Sequence, residues 1–335
     1  MQSPPPSAPT RTPPTLDLVA EIDELTADNL LEADHTRERR LRDLRVEVPR
    51  QVLPIPPAGP WPRVAPDPFP GERGLPEIDA AMLTPDIVAG ALAHHGSLIV
   101  RNFLPPFRVK RLVGAVDAAL DGSAQHGDTS GPTPETSPWF DPLQDGMISI
   151  FGAGDEWVRV VDSPRAMFEV IEAFQPMVED VVQPHLGERP SMGSTKWTLR
   201  RITPNCYGGW HQDGNFLGEQ IRVLNTWVAL SRCGGDSGSV GMEILPQPVD
   251  HIAPSGTEGA LIGFEVSRRV IERMAGERPP VDPVFEPGDA LLFDQYTLHR
   301  TGSKPGLTEN RYAIESWFFA PSTYPLDTAP TPILF

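Results

Sequence analysis

The hydrophobic positions change period twice along this chain. Early on, Leu18, Val19, Ile22 and Leu25 recur at helical spacing, and the charge-laced LEADHTRERRLRDLR that follows carries a narrower stripe of Leu41 and Leu44. From residue 79 the text becomes that of a compact domain. Thr84-Pro85-Asp86 predicts an N-cap, a first helical residue and a favourable acid; Ile87, Val88 and Leu92 form the buried stripe, and Gly96 the stop. A strand, SLIVRNF, follows. A second helix carries Val109, Leu112, Val113, Val116 and Leu120 on one face and is expected to stop at Gly122. Gly122 to Ser137 reads as a mobile polar loop, and Ser163-Pro164 opens a third helix with Met167, Phe168, Ile171 and Phe174. After Pro190 the period shortens to two: KWTLRRI, IRVLNTWVAL, SVGMEIL, ALLFDQYTL and RYAIESWFF read as strands, interrupted by one short helix, VSRRVIERMAG. Helices first and then many short strands predict a mainly β fold, a sandwich or jelly roll buttressed by helices.

Composition adds the organisation. The 40 prolines crowd into Pro4 to Pro14 and Pro49 to Pro76, the first stretch expected to be disordered and the second extended over a surface. We therefore expect residues 1–78 to form a proline-rich extension with a helical arm and residues 79–335 to form the main domain. The arm is placed to cap that domain or to touch a second subunit in a homo-oligomer. Its arginines, Arg37 to Arg45, alternate with acids, which predicts a solvated face. A net charge of −17 disfavours nucleic acid and anionic membranes as partners. No apolar run reaches the roughly 20 residues that span a bilayer, and no secretory signal segment is recognisable, so a cytoplasmic address is expected. Cys206 and Cys233 form no CxxC pair and read as buried hydrophobes.

Chemistry concentrates in Gly209-Trp210-His211-Gln212-Asp213-Gly214. In extended chain, residues two apart share a face, so His211 and Asp213 project together as one nitrogen and one oxygen donor. His299 ends the segment ALLFDQYTL after the turn Glu286-Pro287-Gly288-Asp289. Two histidines and one carboxylate are the facial set of non-haem Fe(II) oxygenases, with three coordination positions left open. Arg311 opens the last strand. A keto-acid chelating iron at one end leaves a carboxylate at the other, and a guanidinium answers it with two parallel hydrogen bonds, to which the Thr301 hydroxyl can add.

These residues carry a resemblance. Over roughly Leu83 to Ala320 the chain resembles the phytanoyl-CoA dioxygenase family of Fe(II)/2-oxoglutarate oxygenases, through GSLIVRNFL, WHQDGNF, NTWVAL, FEPGDALLFDQYTLHRTG and NRYAIESWF. The resemblance implies a double-stranded β-helix core of the jelly-roll, cupin-like kind. It also implies His211, Asp213 and His299 as iron ligands, Arg311 as the 2-oxoglutarate anchor, and Trp227 and Thr301 in the cosubstrate pocket. The activity implied is hydroxylation of a small molecule by O2 with release of succinate and CO2; the intact Asp213 argues for hydroxylation, or for desaturation or ring closure, over halogenation. Alternation along LNTWVAL fits plain core packing of Trp227 equally well. Glu315 shares a strand face with Arg311, and either orients it, meets substrate or faces solvent. Where the family often has a Pro-Gly-Ser-His turn, this chain has Leu245-Pro246-Gln247-Pro248, which leaves the substrate class open; His251 reads as a loop residue, and His94 and His95 as helix-end residues. Substrate contacts are expected from Gly122 to Trp139, the loop Gly214 to Gln220 and the segment after Leu245. Two rival readings stay open: a binding protein with a vestigial site, and a cupin-like metalloenzyme that does not use 2-oxoglutarate.

Overall fold

The computed structural model describes residues 14–335 except 54, 58, 64, 128–136, 145–154, 207 and 303. It begins with two helices, α1 (Pro14–Leu31) and α2 (His35–Val52). Strand β1 (Glu77–Asp79), helix α3 (Pro85–His95), strand β2 (Ser97–Arg101) and helix α4 (Pro106–Gly127) follow. Next come β3 (Asp155–Arg159), α5 (Pro164–Met177), the single turn α6 (Gln183–Leu186) and the long β4 (Ser191–Ile202). The remainder is α7 (Gly214–Leu217), β5 (Val223–Ala229), β6 (Gly241–Ile244) and α8 (Arg268–Ala275), then β7 (Ala290–Phe293), β8 (His299–Gly302), β9 (Arg311–Phe319) and β10 (Pro332–Leu334). No helix among the described residues is long and apolar enough to cross a membrane.

The larger sheet runs β1-β2-β7-β5-β9-β4-β10, with β3 also paired to β4. The smaller one pairs β6 with β8 and is widened by single bridges at His211–His299 and Ile244–Val281. Side chains alternate across each strand, so the larger sheet has two distinct faces. One carries Leu224, Val228, Leu292, Ile314 and Phe318 against Val116 of α4 and Phe174 of α5. The other carries Val223, Trp227, Leu291, Phe293, Ala313, Trp317 and Phe319, and meets Met242 and Ile244 of the smaller sheet. The result is a jelly roll of the double-stranded β-helix type with helices on the outer face of its larger sheet.

Local chemistry explains the boundaries. Thr84 accepts from the Ile87 amide, and Gly96 takes a left-handed φ of 81° to end α3. Strand β9 spans the predicted segment from Arg311 to Phe319. Gly122, by contrast, does not stop α4. A Cβ there would sit 2.8 Å from that of Phe140, so this glycine lets another segment approach the helix, which continues to Gly127. The expected loop after it lies partly outside the described residues.

The arm corrects a second expectation. Arg42 and Arg45 are buried rather than solvated: Arg42 binds the Asp141 carbonyl and carboxylate, and Arg45 the Leu334 carbonyl. Buried Glu38 pairs with Arg165 of α5 at 2.9 Å. Leu41, Leu44 and Val48 complete a cluster with Ile22 and Leu334. The arm thus packs on α5 and β10 of its own chain. His94 and His95 do more than suit a helix end: they bind the Ala65 carbonyl (3.1 Å) and the Asp67 carboxylate (2.8 Å), pinning the proline-rich segment to α3.

Two outcomes test this packing. Leu44→Ala should lower global stability by about 2–5 kcal/mol in urea unfolding, as for a fully buried leucine; an unchanged midpoint would mean the arm is a separate unit. His185 is buried, and burial together with the Arg63 charge pushes its imidazole down to about 4. Below the ordinary 6.5 the unfolded chain takes up a proton that the folded one refuses, so stability falls as pH drops through 6.5 and levels off near 4. The stability difference between wild type and His185→Leu should therefore shift across that window by up to ~3 kcal/mol.

Candidate metal centre

The site is built where two strands meet a tight turn. Strand β7 ends at Phe293, and the Asp294 carboxylate then accepts from the Tyr296 amide (2.9 Å) and the Thr297 hydroxyl (3.3 Å). That turn reverses the chain, so His299 opens β8 instead of closing the strand before it. Reciprocal backbone hydrogen bonds of 3.0 and 3.1 Å then set His211 beside His299, with ring centroids 4.3 Å apart.

Asp213 reaches the same point by a different route from the one predicted. Only His211 is in extended pairing; Asp213 has helical torsions (φ −67°, ψ −23°) and caps α7. Gln212 between them is buried and holds the bend, its amide donating to the His251 and Tyr296 carbonyls at 2.9 and 2.6 Å and accepting from the Ala253 amide. Gly214 follows because a Cβ there would meet the Gln295 carbonyl at 2.9 Å.

The electrostatics suit a divalent cation. Each histidine directs Nδ1 at a carbonyl, His211 at Gly209 (2.8 Å) and His299 at Thr297 (3.0 Å), which assigns those nitrogens the proton and leaves each Nε2 its lone pair. Burial, reinforced by neighbouring His299, pushes His211 down to about 4. Burial alone would raise the Asp213 carboxyl, but Lys196 and the two histidines hold it well below the usual carboxylate range. One ligand atom from each of His211, Asp213 and His299 lies within 4.8 Å of the others, and Asp213 Oδ2 is buried without a hydrogen-bond partner among the described residues. Two imidazole nitrogens and an ionised oxygen without a hydrogen-bond partner among the described residues fit a ferrous ion.

Arg311 is fully buried. Its Nη1 donates to the Gly241 carbonyl at 2.9 Å, while Nε and Nη2 have no partner among the described residues. Burial, with the Arg200 charge nearby, lowers its guanidinium to about 10. The guanidinium lies 5.4 Å from the Trp227 ring centre, and the Trp227 Nε1 is likewise buried and unpartnered. Thr301 precedes Gly302, which pairs with Gly241, the residue whose carbonyl Arg311 binds. Glu315 does not pair with Arg311: it accepts from Arg200 (3.1 Å) and from the Trp317 indole (3.0 Å). His251 is an exposed loop residue facing Asp250.

Two residues of this interior escaped the sequence reading. Lys196 donates to Asp213 Oδ1 at 2.8 Å, and Arg200 pairs with Asp155 at 2.5 Å. Their signal was a cation on the inward parity of a strand in a chain of net charge −17. Toward the surface, Phe216 and Phe264 flank His211 with ring centres 6.3 and 6.2 Å away, and the expected loop from Gly214 begins as α7.

The family model described as phytanoyl-CoA dioxygenase (PhyH) matches residues 92–306. Among solved structures, the apo form of EctD from S. alaskensis is similar at 18% identity and a TM-score of 0.48, over 78% of this chain and 84% of that one. The same protein with 2-oxoglutarate and 5-hydroxyectoine is similar at 16% identity and 0.48, over 78% and 88%. AviO1 from Streptomyces viridochromogenes Tue57 is similar at 16% identity and 0.43, over 70% and 94%. No curated protein is significantly similar to the chain in sequence.

A buried cation with two unpaired nitrogens is costly without its anion. Arg311→Met should therefore leave the ligand-free protein as stable as wild type or more so in thermal unfolding, while losing affinity for a dicarboxylate; a midpoint lowered by many degrees would contradict this reading of the pocket.

Proposed function

The chain belongs to the phytanoyl-CoA dioxygenase family, and from that premise we propose that it is an Fe(II)- and 2-oxoglutarate-dependent dioxygenase that hydroxylates an unactivated C–H bond of a small molecule. The observation that carries the reading is a pair of unsatisfied groups. Among the described residues, Asp213 Oδ2 has no hydrogen bond beside two histidines although Lys196 holds Oδ1, and Arg311 is a buried cation with two nitrogens that have none. A metal ion would answer the first, and the far carboxylate of a keto-acid held by that metal the second.

In this reading His211 and His299 supply Nε2, and Asp213 supplies Oδ2. Their backbone and Nδ1 hydrogen bonds hold the rings so that little reorganisation accompanies metal entry. When bound, Fe(II) and 2-oxoglutarate supply the oxidising chemistry, with O2 consumed and succinate and CO2 released. Arg311 receives the distal carboxylate through a two-pronged, charge-assisted contact, and the Trp227 indole, beside the guanidinium, and the Thr301 hydroxyl would complete it. Trp227, Phe285, Phe293 and Trp317 keep water away from that end, which strengthens the ionic contact. With Asp213 in place no ligand position is surrendered to a halide, which favours hydroxylation over halogenation. Phe216 and Phe264, beside His211 with Phe264 partly exposed, offer an aromatic wall for the substrate.

Anaerobic addition of Fe(II) and 2-oxoglutarate should give a visible charge-transfer band in the wild type, and admission of O2 should release succinate. His211→Ala should lose the band through lost metal, and Arg311→Met through weakened cosubstrate binding. Metal uptake without a band would sink the 2-oxoglutarate reading, and unchanged Fe(II) affinity in His211→Ala would remove that ligand from the set. A band with no turnover on any substrate would favour a binding role.

A further inference from the structure

Lys196 is a cation with its own place in this interior. Strand β4 pairs in register with β9 at Met192–Phe318 and again at Trp197–Ser316, so residues 193–196 stand opposite the single residue Trp317. An irregularity of this kind turns side chains away from their regular direction. Here it delivers Lys196 Nζ to 2.8 Å from Asp213 Oδ1 and 5.3 Å from the Phe216 ring centre. The other oxygen, Oδ2, is 3.6 Å from His299 Nε2 and has no hydrogen-bond partner.

We propose that Lys196 keeps Asp213 a one-oxygen ligand, reserving for cosubstrate the coordination position that a two-oxygen carboxylate would occupy. This rests on the metal-site reading above. A carboxylate beside a divalent ion can present one oxygen or both, and the choice follows from what else binds the second. Burial makes an unanswered carboxylate oxygen expensive, so Oδ1 takes whichever cation is within reach. With the ammonium in place Oδ1 is answered; without it the metal becomes the nearest cation, and the carboxylate closes onto it. Three ligand atoms leave three positions on an octahedral ion, two for the keto-acid and one for O2. A fourth protein atom removes one of these. Lys196 is therefore a positioning residue that acts through Asp213.

The test compares full-length wild type, Lys196→Met and Lys196→Arg, each loaded anaerobically with Fe(II). In Lys196→Met the Fe(II) affinity should hold or rise, while 2-oxoglutarate affinity, read from the charge-transfer band, should fall by about tenfold or more, as for other residues that orient metal ligands. Lys196→Arg should restore it. Nitric oxide, which is uncharged, separates a blocked position from a lost attraction for the dianion. Its adduct, read by electron paramagnetic resonance at 2-oxoglutarate concentrations that saturate each protein, should form in the wild type and be diminished in Lys196→Met. A Lys196→Met protein that binds metal, 2-oxoglutarate and nitric oxide as the wild type does, or that loses metal and cosubstrate together, overturns the proposal. Where Lys196→Met does not fold, Lys196→Gln carries the same comparison. Wild-type protein that takes up no Fe(II) overturns the metal-site reading itself, whereas a loaded wild type with an unaltered variant overturns the role of Lys196 alone.

Discussion

A guanidinium sealed from solvent, with two of its nitrogens unanswered among the described residues, is the constraint around which this interior is arranged. Arg311 sits there because β9 begins at it, and strand alternation sends the first residue of that strand to the same side as Ala313 and Trp317. Replacing the charge with an apolar side chain would suit a sandwich core better. What offsets its cost within the protein is limited: one hydrogen bond to the Gly241 carbonyl and the Trp227 ring nearby. Full compensation requires an anion, and in the proposed reading its other end is held by a metal at the converging donors of His211, Asp213 and His299.

Stability for such an interior comes from elsewhere in the fold. The outer face of the larger sheet and helices α3, α4 and α5 share one continuous apolar cluster that contains none of the site residues. The N-terminal arm adds a second cluster over α5 and β10, fastened by Glu38–Arg165 and by buried Arg42 and Arg45. The inner face is thereby free to hold charged side chains that a minimal core would exclude. Inside it the charges run in opposed pairs, Lys196 with Asp213 and Arg200 with Asp155 and Glu315, while Arg311 has a carbonyl as its hydrogen-bond partner among the described residues.

Much of this was legible in the sequence where one local rule decides the outcome. The α3 caps at Thr84 and Gly96 and the extent of β9 followed from cap chemistry and period two. Legibility ended where a tertiary contact overrode the local signal. Gly122 looks like a helix stop, yet it is a glycine because Phe140 needs the space. The arginines of α2 look solvated by their spacing, yet the arm turns two of them inward onto the main domain. His211 and Asp213 converge as predicted, but through a bend held by Gln212 rather than through strand parity. The role of Lys196 depends on an irregularity in β4 against β9 that no single segment encodes.

Iron and the distal carboxylate of the cosubstrate each have one expected position in this interior. Crystals grown anaerobically with Fe(II) and 2-oxoglutarate locate both, the iron by anomalous diffraction at its edge and the cosubstrate by its electron density. The expected result is a single peak within bonding distance of His211 Nε2, His299 Nε2 and one oxygen of Asp213, with the far carboxylate of the cosubstrate on Arg311. A peak away from these three residues, or a cosubstrate whose distal carboxylate leaves Arg311 unpaired, would contradict it.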